Sequence, residues 1–342
     1  MEIVSAPGRL NIIGDHTDYA DGFSLACAID QHLQLTFTRQ TDVVELQSNY
    51  SKQSAAFTLH ECEDCASIEP QWLRRVAAVG AALQRQGYQL QGFSGSITSS
   101  IPVGAGLSSS AALAMAAGSA LCPEVTLSDL VLAAQQSEFL AAGVRCGLLD
   151  QLTIAYGRKD HALFIDFGAG TTTAVPVPDD IEFWIIDSQL ERSLAESAYD
   201  ERRQSIERVT ATLGPVPQLS LNELQKLDIV DQQRARHVIT ECARVIDATN
   251  ALRGGDKRQL GQLMNESHES LRVDYEVSRP ELDNLVALAR TQPGVYGARL
   301  TGAGFGGCVV ALCERGSISD PAALSGRGWL SRPADGLQHA GN

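Results

Sequence analysis

The chain has 342 residues, enough for two domains with cores of their own, and its 44% hydrophobic and 20% charged residues are those of an ordinary globular protein. Against 41 Asp and Glu stand 27 Lys and Arg, a net charge of −14 that excludes the basic face needed by a nucleic acid or an anionic membrane surface. No apolar stretch reaches membrane-spanning length, no secretory leader is recognisable, and eight scattered cysteines read as reduced thiols, so a cytoplasmic protein is expected.

In chain order, residues 4–11 are extended in character, and residues 14–22, GDHTDYADG, form a loop because Gly, Asp and Thr are turn formers. Residues 32–37 alternate as a half-buried strand does. The run His60-Glu-Cys62-Glu-Asp-Cys65 contains one CxxC pair, but a closed zinc site wants four ligands and no second pair exists, so an acidic surface loop is expected. Residues 92–101 are strand-like and lead through Pro102 into GAGLSSS, Gly104 to Ser110. There Ser108, Ser109 and Ser110 stand where helix N-caps stand, before the helix former AALAMAAGSAL. Residues 127–142 read as a second helix.

The composition turns loop-like at Gly168-Ala-Gly170, which sets an expected domain boundary between residues 167 and 168. Beyond it, Val238, Ile239, Cys242, Val245, Ile246 and Leu252 recur at helical spacing until Gly254-Gly255. Another helix carries Leu260, Leu263, Met264 and Leu271, and a third begins at Pro280. Residues 295–300, a glycine loop and residues 308–312 read as strand, turn, strand. Strands and helices are mixed without strict alternation, which predicts an α+β fold in two halves, 1–167 and 168–342.

Three stretches have chemical potential. GAGLSSS at the start of a helix brings backbone N–H groups and a helix dipole to an anion. No Lys or Arg follows its glycines, so it is no Walker loop and neutralisation falls to a metal; a glycine turn with an ordinary Ser cap is the alternative. Gly302-Ala-Gly304-Phe-Gly306-Gly307 matches GxGxxG in form. A strand follows it where a dinucleotide fold needs a helix, so a tight hairpin supporting a neighbouring loop is expected. Asp15-His16-Thr17-Asp18, with Arg9 before it and Asp150 far downstream, offers short carboxylates suited to a polyhydroxylated ligand, although an Asp-rich turn can be only a turn.

Taken together, the segment from Pro7 to Tyr19 (PGRLNIIGDHTDY), then PVGAGLSSSAAL, then LTGAGFGGC, resemble the three motifs of the GHMP kinases in their order. The first is similar to GRxNLIGEHTDY of the galactokinase branch, and Cys146-Gly-Leu-Leu-Asp150-Gln151 resembles that branch's CGxMDQ. Ser193-Leu194, Tyr199 and Arg202-Arg203 extend the likeness. The resemblance implies an S5-like N-terminal domain and a ferredoxin-like C-terminal domain enclosing a site for a sugar, ATP and Mg2+. It implies Asp150 at the sugar C1 hydroxyl with Arg9 beside it, and Asp15, His16, Asp18, Gly147 and Tyr199 as sugar contacts. Gly104, Ala105, Gly106, Leu107, Ser108, Ser109 and Ser110 would surround the phosphates, Trp72 would stack on adenine, and Ser110 with Glu138 would hold the magnesium. Phosphoryl transfer needs chiefly positioning and electrostatic stabilisation, which such a set can supply.

The chain departs from that pattern at named positions. Asp15 stands where the pattern has Glu, which would leave space or a water, and Leu73-Arg74-Arg75 after Trp72 is unlike the usual sequence. Residues 329–336 are a candidate relic of a closing strand in a tail that would return to the N-terminal domain. Arg145, before the CGxxD turn, could meet an anionic sugar or lie solvated at the surface. A galactose 1-kinase, a 1-kinase for galacturonate, N-acetylgalactosamine or arabinose, and a non-catalytic sugar sensor all stay open, with an enzyme favoured because Ser108, Glu138 and Asp150 are intact. A monomer is the expected state.

Overall fold

The computed structural model of the chain describes residues 1–49, 54–190 and 195–340, so Ser193 and Leu194 lie outside the described residues. The first half runs β1 (Glu2–Ile13), β2 (Phe23–Arg39), β3 (Val43–Ser48), β4 (Ser54–Thr58), α1 (Gln71–Arg85), β5 (Phe93–Ser99), α2 (Ser109–Leu121), α3 (Leu127–Ala142), α4 (Leu149–Tyr156), β6 (His161–Asp166) and β7 (Thr171–Pro176). The second runs β8 (Ile181–Asp187), α5 (Ala195–Leu213), α6 (Ile229–Arg253), α7 (Lys257–Val273), α8 (Pro280–Arg290), β9 (Val295–Thr301), β10 (Cys308–Glu314), β11 (Gly328–Ser331) and β12 (Gln338–Ala340).

The first sheet is organised by the length of β2. Its 17 residues pair with β1 along one edge, while on the other edge residues 33–39 pair with β5 and residues 23–26 pair with β6. The sheet therefore forks, and β1 bends at register shifts between Pro7 and Arg9 and between Asn11 and Ile13. Such irregularities re-aim side chains at the edge of a site. Residues 168–170, read from sequence as a boundary, form the hairpin turn between β6 and β7 of this same sheet. We propose dividing the halves instead in the connection 177–180, where the second sheet begins.

Helix α2 sits at the centre of the first half. Residues 111–121 are all buried, as a helix apolar on every face must be, and their small side chains let α1, α3 and β1 pack close against it. The His60 to Cys65 run is not a plain surface loop: it forms a 3-10 turn that leaves its acids exposed and sends Cys62 and Cys65 into this core.

In the second half a four-stranded antiparallel sheet, in the order β11, β8, β10, β9, is covered by α7 and α8, and α6 packs between α7 and the first sheet. The Gly302 to Gly307 run is the β9–β10 hairpin turn, as its sequence implied. Helix α6 begins nine residues before the apolar pattern read from sequence, with the Asp228 carboxylate accepting from the Val230 and Asp231 N–H groups at 3.0 Å each. The tail divides its roles. Residues 328–331 extend the second sheet beside β8, while Gln338–Ala340 pairs with β1 of the first. Among the described residues no helix is long and apolar enough to cross a membrane.

Candidate active site

Between the two sheets lies a cavity of about 910 Å³, at the upper end of small-molecule sites and wide enough for two ligands side by side. Its first wall is β1 with the following loop, its second the 104–110 loop with the start of α2, and its third α1 and α3. The second sheet closes it with Asp187, Gln189, Gly302 and Arg327.

Asp150, in the first turn of α4, is the meeting point. The Arg9 guanidinium donates from Nε to its Oδ1 at 2.6 Å, and the Ser108 hydroxyl donates to its Oδ2 at 2.6 Å. Arg9 also donates from Nη1 to the Gly106 carbonyl at 2.7 Å, so one side chain ties β1, the glycine loop and α4 together. Arg9 is buried and Asp150 half-buried, facing the cavity.

Gly104, Gly106 and Ser108 all take positive φ, at 79°, 80° and 63°. The loop thus turns its backbone inward in a way that side chains other than glycine resist. Ser108 was expected to cap α2, and its side chain does not: the left-handed backbone turns the hydroxyl from the helix end toward Asp150. Ser109 and Ser110 are half-buried at the N-terminus of the 13-residue helix and line the cavity, leaving its first N–H groups for an anion. Ala105 and Leu107 do not line it; they are buried in the core and anchor the loop from behind.

The 14–22 loop lies across the cavity from these residues. Asp15 is almost fully buried, and its expected slack is absent. Oδ1 accepts from Asn11 Nδ2 at 2.8 Å and from the Gly302 N–H at 3.0 Å, while Oδ2 pairs with the buried guanidinium of Arg299. The shorter acid is drawn onto an arginine of the second half that the sequence reading overlooked.

His16 Nδ1 lies 2.8 Å from the Tyr19 hydroxyl, which lies 2.8 Å from the Tyr275 hydroxyl. Burial, with the His237 charge next, pushes His16 down to about 3, so the ring is neutral. Its Nε2 is buried without a hydrogen bond of ordinary geometry, the Ala303 backbone is a polar neighbour of the ring, and the residue lines the cavity. Asp18 is pushed up to about 6, first by burial and then by the Asp150 and Asp15 charges. Tyr199 packs its ring 5.5 Å from His16 and 5.4 Å from Tyr19 and lines the cavity.

Gly147 sits against Asp18 so closely that a Cβ there would stand 1.9 Å from Oδ2. Only glycine fits that approach.

Helix α6 holds this loop from behind. His237 Nε2 lies 3.1 Å from the Asp15 carbonyl and its Nδ1 2.9 Å from Ser270 Oγ, while Glu241 accepts from the Gly14 N–H at 2.9 Å and from Ser267 Oγ at 2.5 Å. Arg244 donates to the other Glu241 oxygen at 2.8 Å, and together with the cations around it this holds the buried carboxyl down at about 2 despite burial, which acts strongly in the other direction. None of these contacts is periodic in sequence.

Trp72 and Glu138 line the third wall, and Glu138 is paired with Arg75. Arg145 lies outside the main cavity: it is exposed and donates to Asp200 at 2.6 Å, the surface reading of the two.

Comparison with known proteins follows the same geography. Residues 2–39 match the galactokinase galactose-binding signature, residues 74–158 the GHMP kinases N terminal domain, and residues 248–323 the GHMP kinases C terminal domain. A galactokinase from Roseiflexus sp. (strain RS-1) is 41% identical over 92% of this chain and 84% of its own. The structure of Lactococcus lactis galactokinase complexed with galactose is 31% identical and superposes with a TM-score of 0.90, covering 98% of this chain and 94% of that one. The mevalonate kinase of Methanococcus jannaschii, 20% identical, shares the fold with a TM-score of 0.72 over 97% and 98% of the two chains.

Proposed function

This chain belongs to the galactokinases, a branch of the GHMP kinases and so of ATP-dependent sugar kinases, and we propose that it transfers the γ-phosphoryl group of ATP to the C1 hydroxyl of galactose, giving galactose 1-phosphate and ADP. One observation carries the assignment to this site: the Asp150 carboxylate is held by Arg9 and Ser108 where the phosphate loop and the sugar loop face each other.

The neutral His16 ring, the Asp18 carboxylate and the Tyr199 ring meet the sugar, with the one acceptor lone pair left on Asp15 Oδ2 after Arg299. Asp150 accepts the C1 hydroxyl as hydrogen-bond donor, orients it in line with the γ-phosphate and takes its proton as the new P–O bond forms. Arg9 and the N–H groups at the start of α2 offset the charge on the transferring group. Trp72 supports the adenine. The Ser110 hydroxyl and Glu138 carboxylate are hard oxygen donors on one cavity, the kind Mg2+ takes, and fit that ion without further protein ligands. Bound there, it would neutralise phosphate oxygens. The eight unpaired cysteines and the use of ATP support a cytoplasmic location.

An ADP-release assay over neutral, acetamido and uronic sugars tests the assignment. Galactose should be the best substrate and galacturonate poor, because Arg145 is spent on a surface pair. Preferential turnover of a uronic sugar would overturn the substrate, and binding without turnover would make the chain a sensor.

Two further outcomes are expected. Gly147→Ala drives a methyl into Asp18, and a displacement of that size should lower kcat/KM for the sugar about 100-fold while ATP affinity stays within twofold. Calorimetric binding of each ligand checks it, and a loss shared equally by both ligands would contradict the local clash. Because Asp18 titrates near 6, its ionised form is lost as the pH falls from 7 to 5, so kcat/KM for the sugar should drop about tenfold per unit below pH 6. In Asp18→Asn that acid limb should vanish; a limb that persists belongs to another group.

A further inference from the structure

We propose that Arg75 is a nucleotide-phosphate-binding residue, exchanging its carboxylate partner for the triphosphate when ATP enters; this rests on the ATP-kinase reading of the same cavity. The phosphate loop contains no lysine or arginine, and the chain carries a net charge of −14, so a polyanion needs a local cation. Among the described residues lining the cavity, the permanently charged cations are Arg9, Arg75 and Arg327. Arg9 is committed to Asp150 and the Gly106 carbonyl. Arg327, on the second half, is half-exposed against Asp187 at 3.3 Å.

Arg75 differs from both. It stands three residues after Trp72 on α1, so the two share a helix face, and both side chains line the cavity. Among the described residues its one hydrogen-bonded partner is the largely buried Glu138 of α3, reached through Nη1 alone, which leaves most of a five-donor fork uncommitted by them. Glu138 is also the carboxylate suited to a divalent ion beside Ser110. A carboxylate cannot serve both partners fully. When Glu138 turns to a metal, the half-buried guanidinium is left without its counter-charge, which is costly unless another anion takes its place. Phosphate oxygens in the same cavity are that anion, and a planar guanidinium suits them.

The test is calorimetric binding of ATP and of adenosine, in metal-free buffer, to the full-length wild-type chain and to Arg75→Met, Arg75→Lys and Glu138→Gln, after thermal melts establish that each is folded. Arg75→Met should weaken ATP binding about tenfold or more and leave adenosine within twofold, since only the phosphates are affected, and Arg75→Lys should fall between it and the wild type. Glu138→Gln, by releasing Arg75, should tighten metal-free ATP. ATP affinity unchanged or improved in Arg75→Met would overturn the proposal and leave the pair a brace between α1 and α3. An equal loss for adenosine would also overturn it, as damage to the adenine wall. If wild-type protein binds adenosine and ATP not at all, the kinase reading itself fails, a separate result.

Discussion

Asp150→Asn should lower kcat by roughly 10²–10⁴-fold, the range for removal of a positioned acid–base group, while the affinities for sugar and ATP change by only a few-fold. The substitution is close to isosteric. The amide oxygen can still accept from Arg9 Nε, and the amide N–H can donate to the Ser108 oxygen, so the loop geometry at 2.6 Å on either side is retained while the negative charge is lost. A variant that binds both ligands and turns over slowly therefore reports on proton acceptance and hydroxyl orientation. Turnover near that of the wild type would remove Asp150 from the chemistry. Measuring ADP release beside calorimetric binding separates the two, and a pre-steady-state trace would show whether the chemical step has become limiting.

Glu241→Ala should destabilise the fold by about 3–5 kcal/mol, because it removes the counter-charge of a largely buried guanidinium. The carboxylate is fully buried and satisfies Arg244, the Gly14 N–H and Ser267 together. Its loss leaves the Gly14 N–H and the Ser267 hydroxyl without that acceptor, leaves Arg244 with Thr240 in place of a counter-charge, and removes one of the two contacts, beside His237, by which α6 holds the sugar loop. A melting scan should fall by on the order of 5–10 °C. A change within 1 °C would mean that water replaces the carboxylate at no cost.

The same group gives a signed pH effect. Folding depresses its pKa from 4.5 to about 2, so the stability it contributes is complete above about pH 4.5 and is lost as the pH falls toward 2. The acid limb of the wild-type stability curve should flatten in Glu241→Gln. At temperatures where that variant is folded, the KM for the sugar should rise with ATP affinity retained, since Gly14 belongs to the sugar loop alone.

Legibility in the sequence followed the physics of each segment. Helix α3 was read to the residue, and the helices starting at Ser109 and Pro280 were found by their starts, because caps, proline and apolar spacing are local signals. The first turns of α6 were missed for a physical reason. Asp231, Arg234 and His237 are polar and buried, and a pattern reading assigns polar positions to solvent. Strand β8 and helix α1 went unread because a strand buried along its whole length, or a helix opening on Trp and two Arg, lacks a diagnostic alternation. The tail was half legible: residues 328–331 look like a strand from either sheet's point of view, and only pairing assigns them to β8.

The sequence by itself determined the parts of the site that are contiguous. A glycine loop opening a helix, a polar loop after a short strand and a glycine hairpin are each built from local backbone preferences, so their residue types announce them and point to a phosphate donor and a polyol. Only the tertiary structure decided who holds whom. Ser108 leaves its helix for Asp150, Asp15 closes onto Arg299 across 284 residues, and Arg75 occupies Glu138. These are choices among charged and hydroxylic partners in a buried space, where each unpaired group is penalised, and no local spacing records which partner is near enough to relieve it.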